Sequence, residues 1–579
     1  MIFSYFARYK NTQNINHKND TTMKHLFTAT LLLLALLMPA TATAHDFEVD
    51  GIYYNILNDN EVAVTFRGHF FNEYTEDYSG DIIIPATVTY DGSTYAVTAI
   101  GDDTFYDSTA LTSISIPNSV AAIGLGAFYH CSALISISVA SDNPKYDSRD
   151  NCNAIIETAS NTLIAGCFDT VIPNSVTAIG NEAFSFRSAL TNIIIPNSVT
   201  SIGRGAFQGC SALTSIDIPN SVTTIGNYAF FECSALTSLF LPSSVTSIGM
   251  RAFGRCSGLT SITVAGDNPK YDSRDNCNAI IETASNTLLY GGINTIIPNS
   301  VTCIGDNAFS YRKRLTSITI PNSVTTIGDN AFSNCKRLTS IDIPNSVTTI
   351  SDYAFFGCSS LANISIPNSV TKIGDDAFYD CTSLTSINIP NSVTTIGSGA
   401  FQRCTGLTSI NIPNSVTTID DAAFAGCTSL ASIIIPNSVT RIDYGAFYGC
   451  FALKKVYSYI SDLSNITMGI YVFELQQGNY SRRTLYVPAG TSAAYQADNK
   501  WSAYFNDIVE MGPDPIIDNG DMNGDGVVNV SDVTLLVNMI LNNNDLEAAQ
   551  YPYADMNGDG AINISDLTIL IGNILNNND

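Results

Sequence analysis

Residues 324–346 read VTTIGDNAFSNCKRLTSIDIPNS, and the same pattern starts again at Val347. Ile-Pro-Asn-Ser-Val stands at 195, 218, 320, 343, 366, 389, 412 and 435, with Leu-Pro-Ser-Ser-Val at 241, so the period is 23 residues. The segment from V-T-x-I-G to A-F recurs 13 times between residues 97 and 447. In L-T-S-I-x-I, apolar residues alternate with small polar ones, which predicts a short strand over residues 338–343 with one face inward. Pro344 ends the ladder, and Asn345-Ser346 supply side chains that bond a turning backbone. Gly328 is expected to permit a sharp turn before Ala331-Phe332, whose ring plugs the interior of the coil. A coil of this kind buries about seven apolar side chains, each contributing about 1.5–3 kcal/mol, yet it cannot cover its own open faces. Only a stack of coils is stable.

A period of 23 residues falls in the range of leucine-rich repeats. The expected architecture is an α/β repeat: a right-handed solenoid of stacked short strands over residues 97–450. Residues 142–163 (DNPKYDSRDNCNAIIETASNTL) recur residue for residue at 267–288, an offset of 125, so a block of several coils was duplicated. These stretches, near 140–170 and 265–295, are expected to bulge from the solenoid as hairpin-like insertions, their Asp and Asn residues serving turn chemistry. Ten of the 14 cysteines (131, 210, 233, 256, 335, 358, 381, 404, 427 and 450) share one slot of the repeat. They are expected to form an inward column of small buried hydrophobes, interrupted by Arg187 and Arg312. Cys152, Cys167, Cys277 and Cys303 lie outside that column. Non-repeating sequence flanks the stack: residues 45–96 read as a β cap, and residues 451–511 as a second cap ending in a helix around 492–504.

The unit V-T-x-I-G-x-x-A-F-x-x-C-x-x-L-x-x-I-x-I-P, the insertion starting N-P-K-Y-D-S and the closing L-Y-V-P-A-G-T resemble the BspA-like leucine-rich-repeat proteins of bacterial surfaces. The resemblance spans roughly residues 46–511 and implies adhesion or ligand binding at the cell surface, with a host or bacterial surface protein or a glycan as partner. The outward strand positions Asp217, Thr319, Asp342, Ser365, Asn388 and Asn411 are small and polar, without the aromatic and Arg anchors of a strong interface. Tyr129, Tyr228, Phe231, Tyr353, Phe356, Tyr379, Tyr444 and Tyr448 cluster beside the A-F position instead, and that edge is the preferred contact surface.

The chain carries 26 Lys plus Arg against 52 Asp plus Glu, a net charge of -26, which repels polyanions and makes nucleic acid an improbable partner. Residues 1–44 read as an extension plus signal peptide. Met23, the expected start, and Lys24-His25 precede the apolar run 26–38 and Ala42-Thr43-Ala44, with cleavage expected after Ala44. No other stretch reaches about 20 apolar residues, so the mature protein is not expected to span a membrane. It is expected to be secreted, extracellular or at the cell surface.

After the linker 512–520 the chain reads DMNGDGVVNVSD and, 34 residues later, DMNGDGAINISD. Ca²⁺ takes six or more hard oxygens, and loop positions 1, 3, 5, 7, 9 and 12 converge on one point when Gly at position 6 allows the turn. The first set is Asp521, Asn523, Asp525, the Val527 carbonyl, Asn529 and Asp532; the second is Asp555, Asn557, Asp559, the Ala561 carbonyl, Asn563 and Asp566. Two calcium ions are therefore expected. Each loop runs into an amphipathic helix, with Val533, Leu536, Val537 and Ile540 on one stripe and Leu567, Leu570, Ile571 and Ile574 on the other. Pro513, Pro515 and Gly520 exclude an entering helix, so neither unit is a full EF-hand. The paired loop-helix units, with Asp at position 12, resemble type I dockerins. The resemblance implies a small all-α calcium-binding module at 521–579 that docks onto a cohesin-like domain through positions 10 and 11 of each loop. These are Val530-Ser531 and Ile564-Ser565, where many cellulosomal dockerins carry Ser-Thr, so the partner's identity stays open.

Dockerins accompany glycoside hydrolases, so an enzyme has to be weighed. Only His45, His69 and His130 follow the leader, no H-E-x-x-H or G-x-S-x-G is present, and uniform repeats offer no singular pocket. The sequence therefore points to a non-catalytic binding protein. A non-catalytic component of an extracellular polysaccharide-degrading complex is the alternative, with a glycoside hydrolase behind it.

Overall fold

The 23-residue unit can close its core only against a neighbour, and the bonds between coils follow that register. The computed structural model describes residues 45–67, 78–474, 483–511, 530–542, 554 and 562–576. In the coil at 324–346, Val324, Ile327, Ala331, Phe332, Cys335, Leu338, Ile341 and Ile343 are all buried, none beyond 6% exposure. The strand foreseen at 338–343 is shorter, Ser340–Asp342, and pairs in parallel with Asn363–Ser365 one coil on. It starts late because the Leu338 amide closes a turn onto the Cys335 carbonyl at 3.0 Å. A second row of strands, which the sequence reading lacked, comes from V-T-x-I. Thr349–Ile350, Lys372–Ile373, Thr395–Ile396, Thr418–Ile419, Arg441–Ile442 and Thr467–Met468 line up as one parallel sheet.

Polar positions bond the adjacent coil in the same way. Ser369 Oγ donates to the Val347 carbonyl at 2.6 Å, Thr371 Oγ1 to Thr348 at 3.3 Å, and the Asp375 amide to Asp352 Oδ1 at 2.9 Å. The rings of Phe332, Phe355, Phe378, Phe401, Phe424, Phe447 and Phe473 stack with centroids 5.2 to 5.6 Å apart. Each column cysteine adds an S–H bond to the Phe carbonyl of the preceding coil, such as Cys358 to Phe332 at 3.1 Å and Cys381 to Phe355 at 3.3 Å. The cysteines are thus donors as well as hydrophobes. Burial pushes the thiols of Cys358 and Cys381 far above their ordinary pKa, which leaves negligible nucleophilic thiolate.

The limb opposite the strands is a run of turns. Two residues per coil, the one before Ala and the one two after Phe, take left-handed backbone: Asn330 and Asn334 at φ 58°, then Tyr353 at 58° and Gly357 at 67°. Two such residues seven or fewer positions apart break an α-helix. Among the described residues the α-helices lie outside the coils, at Ser492–Ala497, Asn499–Ser502, Val530–Asn542 and Ile564–Asn576. The helix expected around 492–504 is split at Asp498, whose backbone is extended and whose carboxylate caps the second piece by accepting from the Lys500 amide. Gly328 also differs from expectation: its φ is not positive, and the turn falls at Asn330 instead. Its role is contact, since a Cβ there would meet Asp306 Oδ1 and stand 2.7 Å from the Asp306 amide.

The insertions do not bulge. Ala154–Glu157 and Thr162–Gly166 form an antiparallel pair whose second strand continues in parallel into Ala178–Ile179, and the duplicate at Ala279–Glu282 and Thr287–Gly291 does the same. Ile155, Ile156 and Leu163 are fully buried, so the hairpin is a structural wall of the stack. The apolar core of the solenoid accordingly falls into three segments that meet at the two insertions. Arg187 and Arg312 sit at these seams, each 1% exposed. The hairpin supplies no Phe carbonyl in the usual place, and the longer guanidinium spans the gap. Arg187 donates to Gly166 and Phe128 carbonyls at 2.8 and 3.3 Å, Arg312 to Gly291 and Cys256 carbonyls at 2.7 and 2.9 Å. At the C-terminal end, buried Trp501 lies beside Phe473, the last ring of the stack.

Gly328→Ala is expected to destabilise the solenoid by about 1–3 kcal/mol through overpacking, read as a lower urea midpoint. An unchanged midpoint would remove the close-approach account. Cys358→Ala, which removes one of the two donors to the buried Phe332 carbonyl and leaves the Cys335 amide as the other, is expected to cost about 0.5–1.5 kcal/mol, and Cys358→Ser less, since a donor is kept. Equal losses in the two variants would mean that volume, not the S–H bond, holds this slot.

Candidate functional site

The C-terminal module assembles two helices, Val530–Asn542 and Ile564–Asn576, around Leu536, Leu570, Ala554 and Ile562. The expected stripes are shifted. Leu535, Met539 and Ile569 pack inward beside Val533, Ile540, Leu567 and Ile574, whereas Ile571 is 39% exposed and Val537 stays outside the cluster. Among the described residues the two helices pack against each other, so the buried face of each is set by where they meet.

Position 12 of each expected calcium loop falls in the first turn of its helix. Asp532 and Asp566 are both fully buried there. Asp566 Oδ2 accepts from the Asn563 amide at 2.8 Å, and Asn563 Oδ1 accepts from the Ser565 amide at 2.8 Å. Burial of a carboxylate in so small a core is costly unless cations or donors compensate it, and the donor set of the two loops fits Ca²⁺. Asp521, Asn523, Asp525, Val527, Asn529, Asp555, Asn557, Asp559 and Ala561 lie outside the described residues. Among the described residues no group of three metal-ligating side chains comes together. Of the docking positions, Val530 and Ile564 are each 70% exposed and Ser565 is exposed, while Ser531 belongs to the first helix.

On the solenoid, Asp217, Thr319, Asp342 and Ser365 are exposed as expected, and Asn388 and Asn411 are half-buried. The outward face is less uniformly polar than the sequence reading had it: Val171, Ile194, Phe240 and Ile296 are all more than half exposed. The aromatic edge forms as anticipated. Tyr353, Tyr444 and Tyr448 are exposed, Phe356 stacks on Tyr379 at 4.8 Å, and Tyr129 stacks on Tyr106 at 5.2 Å. His130 pairs with Asp107 at 2.5 Å and lies 4.3 Å from the Phe186 ring. The same limb carries carboxylates at successive coils. Burial holds Asp103, Glu182, Asp329, Asp375, Asp376 and Asp443 above the ordinary carboxylate range.

Stacked parallel coils followed by two helices that share a small core define a repeat solenoid joined to a small helical module. A family model described as BspA type leucine rich repeat region, in 6 copies, matches residues 91–156, 166–278, 292–406 and 348–478, more than half of the chain. The chain belongs to this BspA type leucine-rich-repeat family, and residues 519–575 match the dockerin type I domain. Neither family is an enzyme family. Among solved structures, a leucine rich cell surface protein from Faecalibacterium prausnitzii is 29% identical, with 68% of this chain and 95% of that chain covered and a TM-score of 0.42. A leucine-rich repeat protein from Bacteroides ovatus is 23% identical, covering 81% and 100%, with a TM-score of 0.31. The pneumococcal vaccine antigen PcpA is 18% identical, covering 80% and 98%, with a TM-score of 0.38. No curated protein matches the chain. No described helix is long and apolar enough to cross a membrane, and the expected leader at 1–44 lies outside the described residues.

The raised carboxylates set a pH dependence. A carboxyl whose folded pKa exceeds its unfolded one takes up its proton first in the folded state, so stability is gained as pH falls toward that pKa and lost as pH rises through it. Asp81, Asp462 and Glu510, lowered by hydrogen bonds from Ser113, Ser464 and Ser492, act oppositely but are fully exposed. With chelator present, the melting temperature of the solenoid is expected to rise as pH falls from neutrality toward the ordinary carboxylate range, about pH 4. A fall over that interval would show that the exposed carboxylates dominate.

Proposed function

We propose that this chain is an exported, non-catalytic binding protein, in which the solenoid presents a recognition surface and the C-terminal module, folded around two calcium ions, docks onto a cohesin-like domain. The division that goes with this reading is a leader cleaved after Ala44, a cap to residue 96, coils to 450, a second cap to 511, a linker at 512–520 and the docking module from 521. The observation that carries it is a repeated pair. Asp532 and Asp566 are buried at the starts of two helices that share one core, and Val530 and Ile564, two residues before each, are 70% exposed. An inward acid beside an outward apolar residue, in duplicate, suits a metal-folded element with its contact residues held outside.

Asp521, Asn523, Asp525, the Val527 carbonyl, Asn529 and Asp532 would hold one ion, and Asp555, Asn557, Asp559, the Ala561 carbonyl, Asn563 and Asp566 the other. Calcium supplies positive charge to oxygens that would otherwise repel one another, and binding energy becomes folding energy. The solenoid is the adhesive or ligand-recognising part, with the aromatic edge as its contact surface.

Calorimetric titration of the full chain is expected to give two calcium sites, and capture by a panel of purified cohesins is expected to need calcium. Asp532→Asn with Asp566→Asn should abolish both, whereas Val530→Asp with Ile564→Asp should keep the calcium stoichiometry and lose capture. Capture that persists in chelator would sink the docking reading.

A further inference from the structure

Each insertion breaks the turn limb once, the two breaks differ in chemistry, and the second holds a recess lined by Phe231, Arg251, Arg255, Asn307 and Tyr311. Residues 106, 107, 126, 130, 182 and 186 of the first copy correspond, at the offset of 125, to 231, 232, 251, 255, 307 and 311 of the second. The first set is Tyr, Asp, Gly, His, Glu and Phe; the second is Phe, Glu, Arg, Arg, Asn and Tyr. The side-chain contact with the preceding coil is kept, His130 with Asp107 in one and Arg255 with Glu232 at 2.5 Å in the other. What changes is the opposite wall. Glu182 gives way to Asn307, and Gly126 to Arg251, so the second break has lost an acid and gained a cation in a chain with twice as many acids as bases.

We propose that the recess at the second break, a pocket of about 220 Å³, binds one acidic sugar residue of a glycan, its anionic group held by Arg251 and Arg255. The inference rests on the reading of the solenoid as the ligand-recognising part and names the chemistry of its ligand. Arg251 Nε is buried and has no hydrogen-bond partner among the described residues, so a desolvated donor stands ready for an anion. Arg251 and Arg255 occupy left-handed backbone at φ 52° and 56°, and at the first of these the fold by itself favours the glycine of the first copy, Gly126. The Arg255 guanidinium is fixed 4.2 Å from the Tyr311 ring centroid and 5.1 Å from that of Phe231, which orients its fork before a ligand arrives. Tyr353 and Phe356 offer aromatic surface for the apolar face of a pyranose, and the amides of Asn307, Asn330 and Asn334 suit its hydroxyls. The volume lies below the roughly 300–1,000 Å³ of pockets for drug-sized ligands, which suits a single sugar unit better than a peptide.

The test is calorimetric titration of the full chain with a galacturonate trimer, a 6-sulfated galactose trimer without carboxylates and a neutral galactose trimer. One-to-one binding of a charged saccharide, weakened by salt and absent for the neutral one, is expected. Preference between the first two distinguishes a carboxylate from a sulfate as the recognised group. Arg251→Gly restores the first-copy residue at a backbone angle that suits glycine, so the variant should melt like the parent while binding falls at least tenfold. Arg255→His should weaken binding as well. Equal binding of neutral and charged sugars, undiminished binding by Arg251→Gly, or binding of a glutamate hexapeptide in place of the sugars would overturn the proposal. Should no saccharide bind while the solenoid still captures a surface glycoprotein, this inference fails and the binding-protein reading stands.

Discussion

Everything in this solenoid depends on each residue meeting its own counterpart one coil away. The stacked Phe column, the Cys-to-Phe carbonyl bonds, the Ser-to-Val and Thr-to-Thr bonds and the strand pairs all run at the same spacing. A coil shifted by one residue would lose all of them together and turn its apolar set outward. Such coupling explains why the repeat tolerates little drift at inward slots, and why substitutions gather at turn positions. It also makes the stack quasi-one-dimensional, with stability residing in interfaces between coils.

That constraint makes an insertion a structural problem, because a hairpin cannot offer the bonds that the next coil expects. The molecule answers it the same way twice. A strand of the hairpin joins the V-T-x-I sheet, and an arginine replaces the cysteine of the next coil to reach carbonyls on both sides of the seam. Arg312 is completely enclosed, and burial lowers its pKa. A guanidinium with a basicity this high stays charged under that pressure, whereas an ammonium would be far easier to neutralise. The third buried arginine, Arg483, bonds the Leu453, Phe473 and Cys450 carbonyls where the C-terminal cap takes over, so the device marks departures from the period in general.

Much of this was legible in the sequence because inward positions recur with one chemistry. Val324, Ile327, Phe332, Cys335, Leu338 and Ile341 could be read as core from periodicity alone. The turn limb was not, since its left-handed slots carry Asn330, Tyr353, Asp376, Gly399 and Ala422 in successive coils, and no residue type signals the backbone state. Gly328 was misread for a related reason. A glycine required by a neighbouring coil looks in sequence like a glycine required by its own turn. The hairpins were recognised as interruptions, but whether Ile155 and Ile156 face solvent or core depends on their partner strand Thr162–Gly166 pairing in turn with residues 178–179, which no local pattern encodes. In the C-terminal module the loop spacing was explicit, whereas the inward rotation of Ile569 over Ile571 depends on the helix Val530–Asn542 it packs against.

A uniform repeat also restricts where singular chemistry can arise. Along the regular coils each surface slot has near-copies on both sides, so a ligand finds a ladder, as in the aromatic and carboxylate rows of the turn limb. At an insertion the spacing between coils changes once, and side chains that are otherwise stacked on their own kind meet different partners. Arg255 lies against Tyr311, a residue 56 positions away, because the hairpin stands where the next coil would have been. Duplication of the block then produced two such breaks with one scaffold, and they have since diverged in charge, Gly126 and Glu182 in the first standing where Arg251 and Asn307 stand in the second. Divergence at a break leaves the inter-coil register untouched, so these sites are free to change chemistry in a way that no regular coil is.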